Sequence, residues 1–255
     1  RIMNGDGAVM KRINSILLIA IMLFVSCSFS VDAEDRLLVY PDAGVNSYIN
    51  MIAQAKKSIN IVIYDFTDRD ILNALIAAKN RGVEVRVLME KSPWKNPDLN
   101  LPIADELLHH HIQLRWSNPS FNLTHQKTMT VDNTRSIIST GNFTYSDFNK
   151  CMRYQRKTDN VITPHRNFAI VTSDKKIIKQ ITTVFNADWY RYNPKLVPSN
   201  LLWSPVNAVT KIVGFINSAH YTLDVYMQDL SDRDVIDALI KSKSRNVKIS
   251  ILLPA

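Results

Sequence analysis

The sequence predicts an α/β protein in which helices cover both faces of a sheet that mixes parallel and antiparallel strands. Three observations carry that expectation. The stretches "DFTDRDILNALIAAKNRGVEVRVLM" (65–89) and "DLSDRDVIDALIKSKSRNVKISILL" (229–253) superpose without a gap when 164 is added to the first numbering. Each reads as strand–helix–strand, a connection that makes the two strands parallel. The strands are continuous apolar runs rather than alternating ones, the pattern of a sheet packed on both sides. Around "VDNTRS" (131–136), finally, two β-rich runs flank a turn, which adds an antiparallel hairpin.

Taken in order, residues 1–33 stand apart from the fold. Lys11 and Arg12 precede an apolar run from Ile13 to Val25, and Val31-Asp32-Ala33 closes it with small residues. That is the build of a leader with a secretory signal, and it predicts a secreted or periplasmic protein. Cys27 either leaves with the signal or carries a lipid anchor. Cys151 would then have no partner for a disulfide. A first repeat follows over 34–190. Its first strand is Ile59–Tyr64. Thr67 is the expected N-cap, with Asp70 completing a capping box. Ile71, Leu72, Leu75 and Ile76 form the apolar stripe of a helix that Gly82 ends, and the next strand is Val83–Met89. "LLHHHIQLRW" (107–116) is a helix end running into a strand. Its three adjacent histidines point in different directions and lack the companions of a metal site.

From His125, strand alternation puts His125, Lys127, Met129 and Val131 on one face and Gln126, Thr128, Thr130 and Asp132 on the other. A two-residue loop at Asn133-Thr134 would set His125 opposite Asn142 and Lys127 opposite Thr140, whereas a bulge would shift that register. A helix over Lys175–Trp189 closes the first repeat, and the proline-bearing 191–200 reads as a linker. An incomplete second repeat spans 201–255. Its strands are Leu223–Met227 and Val247–Leu253, around a helix with Ser231 as N-cap, Asp234 in the box and Asn246 at the end. A counterpart of His125 would fall near position 289, past the last residue.

A formal net charge of +8 over 255 residues favours anionic partners such as lipid head groups, nucleic acid or envelope polymers, without choosing among them. "NKCMRYQRKTDNVITPHR" (149–166), basic with interleaved tyrosines, could border a substrate mouth, as could "KSPWKNPDLN" (91–100) at a strand's carboxyl end.

Within "THQKTMTVDNTRSIISTGNFT" (124–144) an imidazole and an ammonium stand two residues apart, with hydroxyl and amide groups returning on the hairpin. A neutral imidazole is a nucleophile toward phosphorus, and the cation and donors would stabilise charge on the phosphoryl oxygens. The segment resembles the phospholipase D superfamily signature H-x-K-x4-D-x6-G-S-x-N. His125, Lys127 and Asp132 match its first part; Ser139, Thr140 and Asn142 stand at its G-S-x-N places, with Ser for Gly and Thr for Ser. "ADWY" (187–190) and "HRNFAIVTSD" (165–174) resemble secreted bacterial members.

The resemblance implies a phospholipase D-like α-β-α sandwich and a phosphodiesterase that works through a phosphohistidine, without metal or other cofactor. It implies two motifs meeting at one site, one histidine attacking and the other protonating the leaving alcohol. His125, Lys127 and Asp132 would be the catalytic set. Lys127, Thr140 and Asn142 would bind phosphate. Strand parity turns Asp132 away, so a structural or salt-bridge role is expected of it within the motif. Asn167 stands where members often carry a carboxylate that orients the histidine. One motif is half a site, to be completed by a homodimer, or lost in a truncated and silent fragment. Phospholipid is the expected substrate, with peripheral membrane contact; a non-specific nuclease is the alternative.

Overall fold

The computed structural model describes residues 35–149, 153–155 and 160–254. The leader, Cys27 and Cys151 lie outside the described residues. Contacts divide the chain into two compact units, one up to Leu196 and one from Val197 onward.

The first unit is built on a seven-stranded mixed sheet. Its strands are β1 (Arg36–Tyr40), β2 (Ser58–Ile63), β3 (Glu84–Met89), β4 (Gln113–Trp116), β5 (Thr128–Val131), β6 (Arg135–Ser139) and β9 (Asn167–Thr172). Their order is β1-β9-β6-β5-β2-β3-β4. β2, β3 and β4 run parallel, and β5, β6, β9 and β1 continue the sheet antiparallel to one another. A separate hairpin pairs β7 (Arg153–Gln155) with β8 (Asn160–Ile162).

One face is covered by α1 (Asn46–Ala53), α2 (Arg69–Asn80) and α3 (Leu101–His109). Strand alternation explains it: Ile59, Ile61 and Ile63 of β2 and Val85, Val87 and Met89 of β3 enter one core with Ile71, Leu72 and Leu75 of α2. The intervening Val62 and Leu88 pack on the opposite face against Phe185 and Trp189 of α5 (Lys175–Tyr190). Arg86 lies over both of those rings, at 4.9 and 5.6 Å from their centres, and bonds Asn60 in β2. The layers are therefore α/β/α, as the two-sided apolar strands required.

The second unit contains α6 (Ala208–Asn217), β10 (Thr222–Tyr226), α7 (Arg233–Ser244) and β11 (Lys248–Leu252), with β10 and β11 parallel. Its small core gathers Ile216, Leu223, Val235, Leu239 and Val247.

Two local expectations are corrected. The N-caps are Asp68 and Asp232, not Thr67 and Ser231; each carboxylate accepts the backbone N–H three residues on, from Ile71 and Val235. Thr67 and Asp68 both give their N–H groups to the Phe143 carbonyl, and the helix begins after them. The terminators are as expected, Gly82 and Asn246 both having left-handed φ, of 87° and 67°.

The hairpin register also differs by one. Val131 pairs with Arg135 and Thr128 with Ile138, so the loop has three residues, Asp132-Asn133-Thr134. Asp132 and Asn133 both take positive φ, which their short polar side chains tolerate. The Asp132 carboxylate leaves the ladder to accept the backbone N–H groups of Lys56, Lys57 and Ser58 at 2.7–2.9 Å. Lys127 consequently faces Ser139, whose N–H it accepts at 2.9 Å, and not Thr140.

Burial opposes ionisation of Asp132, but the bonds from Ser58, Lys56 and Lys57 and the charge of Lys57 outweigh it and hold the carboxyl below its ordinary range. A depressed carboxyl stabilises the fold above its unfolded pKa and loses that contribution as pH falls through the folded value. Asp132→Ala is expected to cost about 2 kcal/mol in urea unfolding near neutral pH. It should also speed hydrogen exchange at the amides of residues 56–58. A variant as stable as the parent, with unchanged exchange there, would remove the carboxylate from any such role.

Candidate active site

Five strands bring chemistry to one end of the first sheet. β2 and β3 end there, at Tyr64-Asp65 and Glu90; β6 ends there, leading to Thr140 and Asn142. The antiparallel β5 and β9 begin there, behind His125–Lys127 and at Asn167. The antiparallel half of the sheet thus returns its polar residues to the carboxyl ends of the parallel strands, where α/β sites form.

Lys127 is almost wholly buried, at 5% exposure. Its Nζ donates to the His125 carbonyl at 2.9 Å and lies 5.3 Å from the centre of the Tyr64 ring. The His125 imidazole meets the same ring edge-on, with centroids 4.6 Å apart, and keeps one side open to solvent. Tyr64 therefore contacts both groups. Asn142 accepts the Asp65 backbone N–H through Oδ1 at 3.2 Å, so the NH2 end of that amide is the part that can donate to a phosphate.

Thr140, Asn167 and Asp147 form a chain beside them. The Thr140 hydroxyl donates to Asn167 Oδ1 at 3.1 Å and accepts the Phe168 N–H at 3.0 Å. Asn167 Nδ2 donates to Asp147 Oδ1 at 2.7 Å. Asp147, from the short helix α4 (Tyr145–Phe148), is buried; it also meets His165 Nδ1 at 3.3 Å and accepts the Thr144 hydroxyl. Both ends of the Asn167 amide are thus engaged, and its hydrogen bonds among the described residues do not include the imidazole. A carboxylate does enter this cluster, but from Asp147. Gly141 sits between these groups, and a β-carbon there would come within 3.1 Å of the Asn167 side chain.

The structure therefore brings His125, Lys127, Thr140, Asn142 and Asn167 to one edge. Asp132 belongs to the same motif but sits at the other end of β5, roughly 20 Å from His125 at about 3.3 Å per residue. The bonds it makes there anchor the start of β2.

Three titratable groups set the electrostatics. Burial, then the neighbouring Lys127, pushes His125 down to about 4, so its imidazole is neutral near pH 7. Burial pushes Lys127 down to about 8 against the opposing charges of Asp65 and Asp147, which leaves it mostly protonated. Burial pushes Asp65 up to about 6, with Lys127 working against the rise and Asp147 adding to it. One oxygen of Asp65 is buried without a hydrogen-bond partner. A neutral imidazole beside a cation is the state in which a nucleophile can approach a phosphoryl group. Among the described residues no cluster of three or more His, Cys, Asp or Glu is arranged to hold a metal ion.

Sequence reasoning missed Tyr64, Asp65, Glu90, Asn100 and Asp147. Asp65 was within reach, since it opens the internal repeat and recurs as Asp229. Asn100 is fully buried and ties Phe66, Tyr64 and Glu90 together through three bonds at 2.7–2.8 Å. No local pattern marks it or Asp147. The backbone of Trp94, in the loop expected to line the cleft, donates to the Tyr64 hydroxyl at 2.6 Å. Residues 150–152 and 156–159 of the stretch 149–166 lie outside the described residues.

Comparison with known proteins followed the same residues. Residues 48–189, more than half of the chain, match the family described as "Cardiolipin synthase, PLD-like domain". A phospholipase D of Rickettsia felis is 33% identical over 109 residues, covering 41% of this chain and 50% of that protein. A polyphosphate kinase of Yersinia pestis is 25% identical over 247 residues, covering 88% of this chain and 33% of the kinase. The chain thus spans a third to a half of the length of these relatives. The crystal structure of Nuc from Salmonella typhimurium, a phospholipase D family member, shares the fold with a TM-score of 0.51 and 22% identity, over 65% of this chain and all of that one.

The imidazole protons of His125, followed by NMR across pH, are expected to titrate near 4. Lys127→Met should move that midpoint upward by removing the adjacent charge, while burial keeps it below the ordinary histidine value. A midpoint near 6.5 in the parent protein would contradict the electrostatics described above.

Proposed function

The chain belongs to the phospholipase D-like family whose domain its residues 48–189 match, and on that footing we propose that it hydrolyses phospholipid phosphodiesters through a phosphohistidine at His125. The observation that carries this reading is the neutral imidazole fixed against Tyr64, with the buried Lys127 ammonium near the same ring and bonded to the His125 carbonyl. The imidazole lone pair forms an N–P bond while the P–O bond to the head-group alcohol breaks. Lys127 and the Asn142 amide meet the non-bridging oxygens, and Thr140 holds Asn167 beside them. The departing oxygen takes a proton from a donor on the far side of phosphorus. Water then breaks the N–P bond and restores the imidazole.

An in-line displacement places that donor opposite His125, and a second copy of the chain in an isologous pair would supply it as its own His125. The similarity to Rickettsia phospholipase D supports phospholipid as substrate. The apolar leader supports action outside the cytoplasm.

Radiophosphorus-labelled phosphatidylcholine, quenched under denaturing alkaline conditions in which phosphohistidine survives, is expected to leave label on His125. His125→Ala should lose turnover by roughly 10^3-fold or more, and the active species should sediment as a dimer. Full turnover by that variant overturns the mechanism. Faster cleavage of supercoiled DNA than of vesicles overturns the lipid assignment alone, and a monomer without turnover on either substrate marks a silent protein.

A further inference from the structure

We propose that the loops following β3 and β4 form a docking edge that seats this site on an anionic phospholipid surface. The inference deepens the lipid reading above and rests on it. Three large apolar side chains stand out from these loops: Trp94 is 81% exposed, Phe121 43% and Leu123 49%. Isolated exposed apolar residues are ordinary on protein surfaces, but the two loops that carry these three are anchored at one point. Glu90, at the end of β3, accepts the Ser92 N–H through one carboxylate oxygen at 3.2 Å and the Thr124 N–H through the other at 2.7 Å. One buried carboxylate therefore clamps the base of both loops.

The same loops are tied to the site. The Trp94 N–H is held by the Tyr64 hydroxyl, and the Tyr64 ring carries the His125 imidazole on its edge. Leu123 lies two residues before His125. The apolar side chains are presented by a backbone fixed in place: Asn100 is bonded at three points beneath the first loop, and Asn118 accepts both the N–H and the hydroxyl of Ser120 in the second.

The occupant follows from the chemistry. Exposed Lys91 and Lys95 accompany Trp94, against the single carboxylate of Asp98, while residues 117–124 carry no charge at all. An indole with nearby ammonium groups suits the head-group region, and Phe121 and Leu123 suit the acyl boundary beneath it. Nucleic acid would favour stacking faces and a cationic rim; an aliphatic Leu123 offers no stacking face, and the second loop has no cation. Seating these residues at the interface would bring the phosphodiester layer level with His125.

The test uses the full chain and vesicles of phosphatidylcholine with or without phosphatidylglycerol. Binding should strengthen with phosphatidylglycerol, and brominated acyl chains should quench fluorescence that disappears in Trp94→Phe. Trp94→Ala, and Phe121→Ala with Leu123→Ala, should each weaken vesicle binding by about tenfold or more, the amount expected from one to two buried apolar side chains. Turnover of bis(p-nitrophenyl) phosphate, a soluble phosphodiester, should be unchanged in both. Vesicle binding that survives both sets of substitutions overturns the proposal. So does binding to single-stranded DNA that the substitutions abolish while vesicles are ignored. Because vesicle binding is read without turnover, a protein that docks as described yet cleaves no phosphodiester supports the docking edge and refutes only the catalytic reading.

Discussion

Between Thr128 and Val131, β5 is hydrogen-bonded on both sides, to β2 and to β6, and all four of its residues are buried. Its last tie to β6 is the Ser139 N–H to the Lys127 carbonyl; the next residue, Thr140, turns its N–H to Phe168 in β9. Thr128 is thus the outermost residue paired with both neighbouring strands, Lys127 keeps a bond to β6 alone, and His125 lies just beyond, against Tyr64. A slip of one residue in this ladder would exchange the faces of Lys127 and Thr128 and carry the ammonium away from the ring it now shares with the imidazole. Asp132 guards against that slip at the far end. Its three bonds to the start of β2 fix where β5 ends, and hence where it begins.

The buried ammonium shapes its surroundings in turn. Without Asp65 and Asp147 nearby, burial would favour loss of the Lys127 proton; with them, the cation persists near neutral pH. Asp65 is itself pushed up by its burial, against the pull of Lys127, and has one oxygen unpaired. A phosphodiester anion held by Lys127 adds negative charge beside that carboxyl and pushes it the same way. Asp147 is different: its bonds to Asn167, Thr144 and His165 give its oxygens fixed donors, and they anchor the Thr140–Asn167 chain.

The layered α/β/α arrangement was legible because the strands of β2 and β3 are apolar on both faces, a signal that survives any uncertainty about element ends. The grouping of His125, Lys127, Thr140 and Asn142 was legible for a similar reason, since a hairpin brings its two ends together whatever its loop length. The register was not. It turned on whether Asp132 belonged to the strand or to the turn, and a contact with residues 56–58, more than seventy positions away, decided it. The N-caps missed by one residue show the same limit: Thr67 and Asp68 are both good caps, and both give their N–H to the distant Phe143 carbonyl, so a tertiary contact bears on where the helix starts. Asn100, Glu90 and Asp147 were illegible because each acts through partners that only the tertiary fold brings near.

The internal repeat shows where the divide between local and distant information falls. Asp68 and Asp232 cap alike, Gly82 and Asn246 terminate alike, and each copy forms its strand–helix–strand from its own residues. Burial does not repeat. Val62 and Leu88 are 1% and 0% exposed, whereas their counterparts Tyr226 and Leu252 are 54% and 60% exposed. In the first unit α5 covers that face, and β5 and β4 close the sheet on either side of β2 and β3. All three elements are encoded after the repeated segment. The histidine and lysine belong to that later part, to the hairpin that docks against β2, so the repeated unit by itself is a platform. What the first unit adds to the platform is an antiparallel strand whose polar beginning meets the carboxyl end of β2, and the chemistry of the site resides in that meeting.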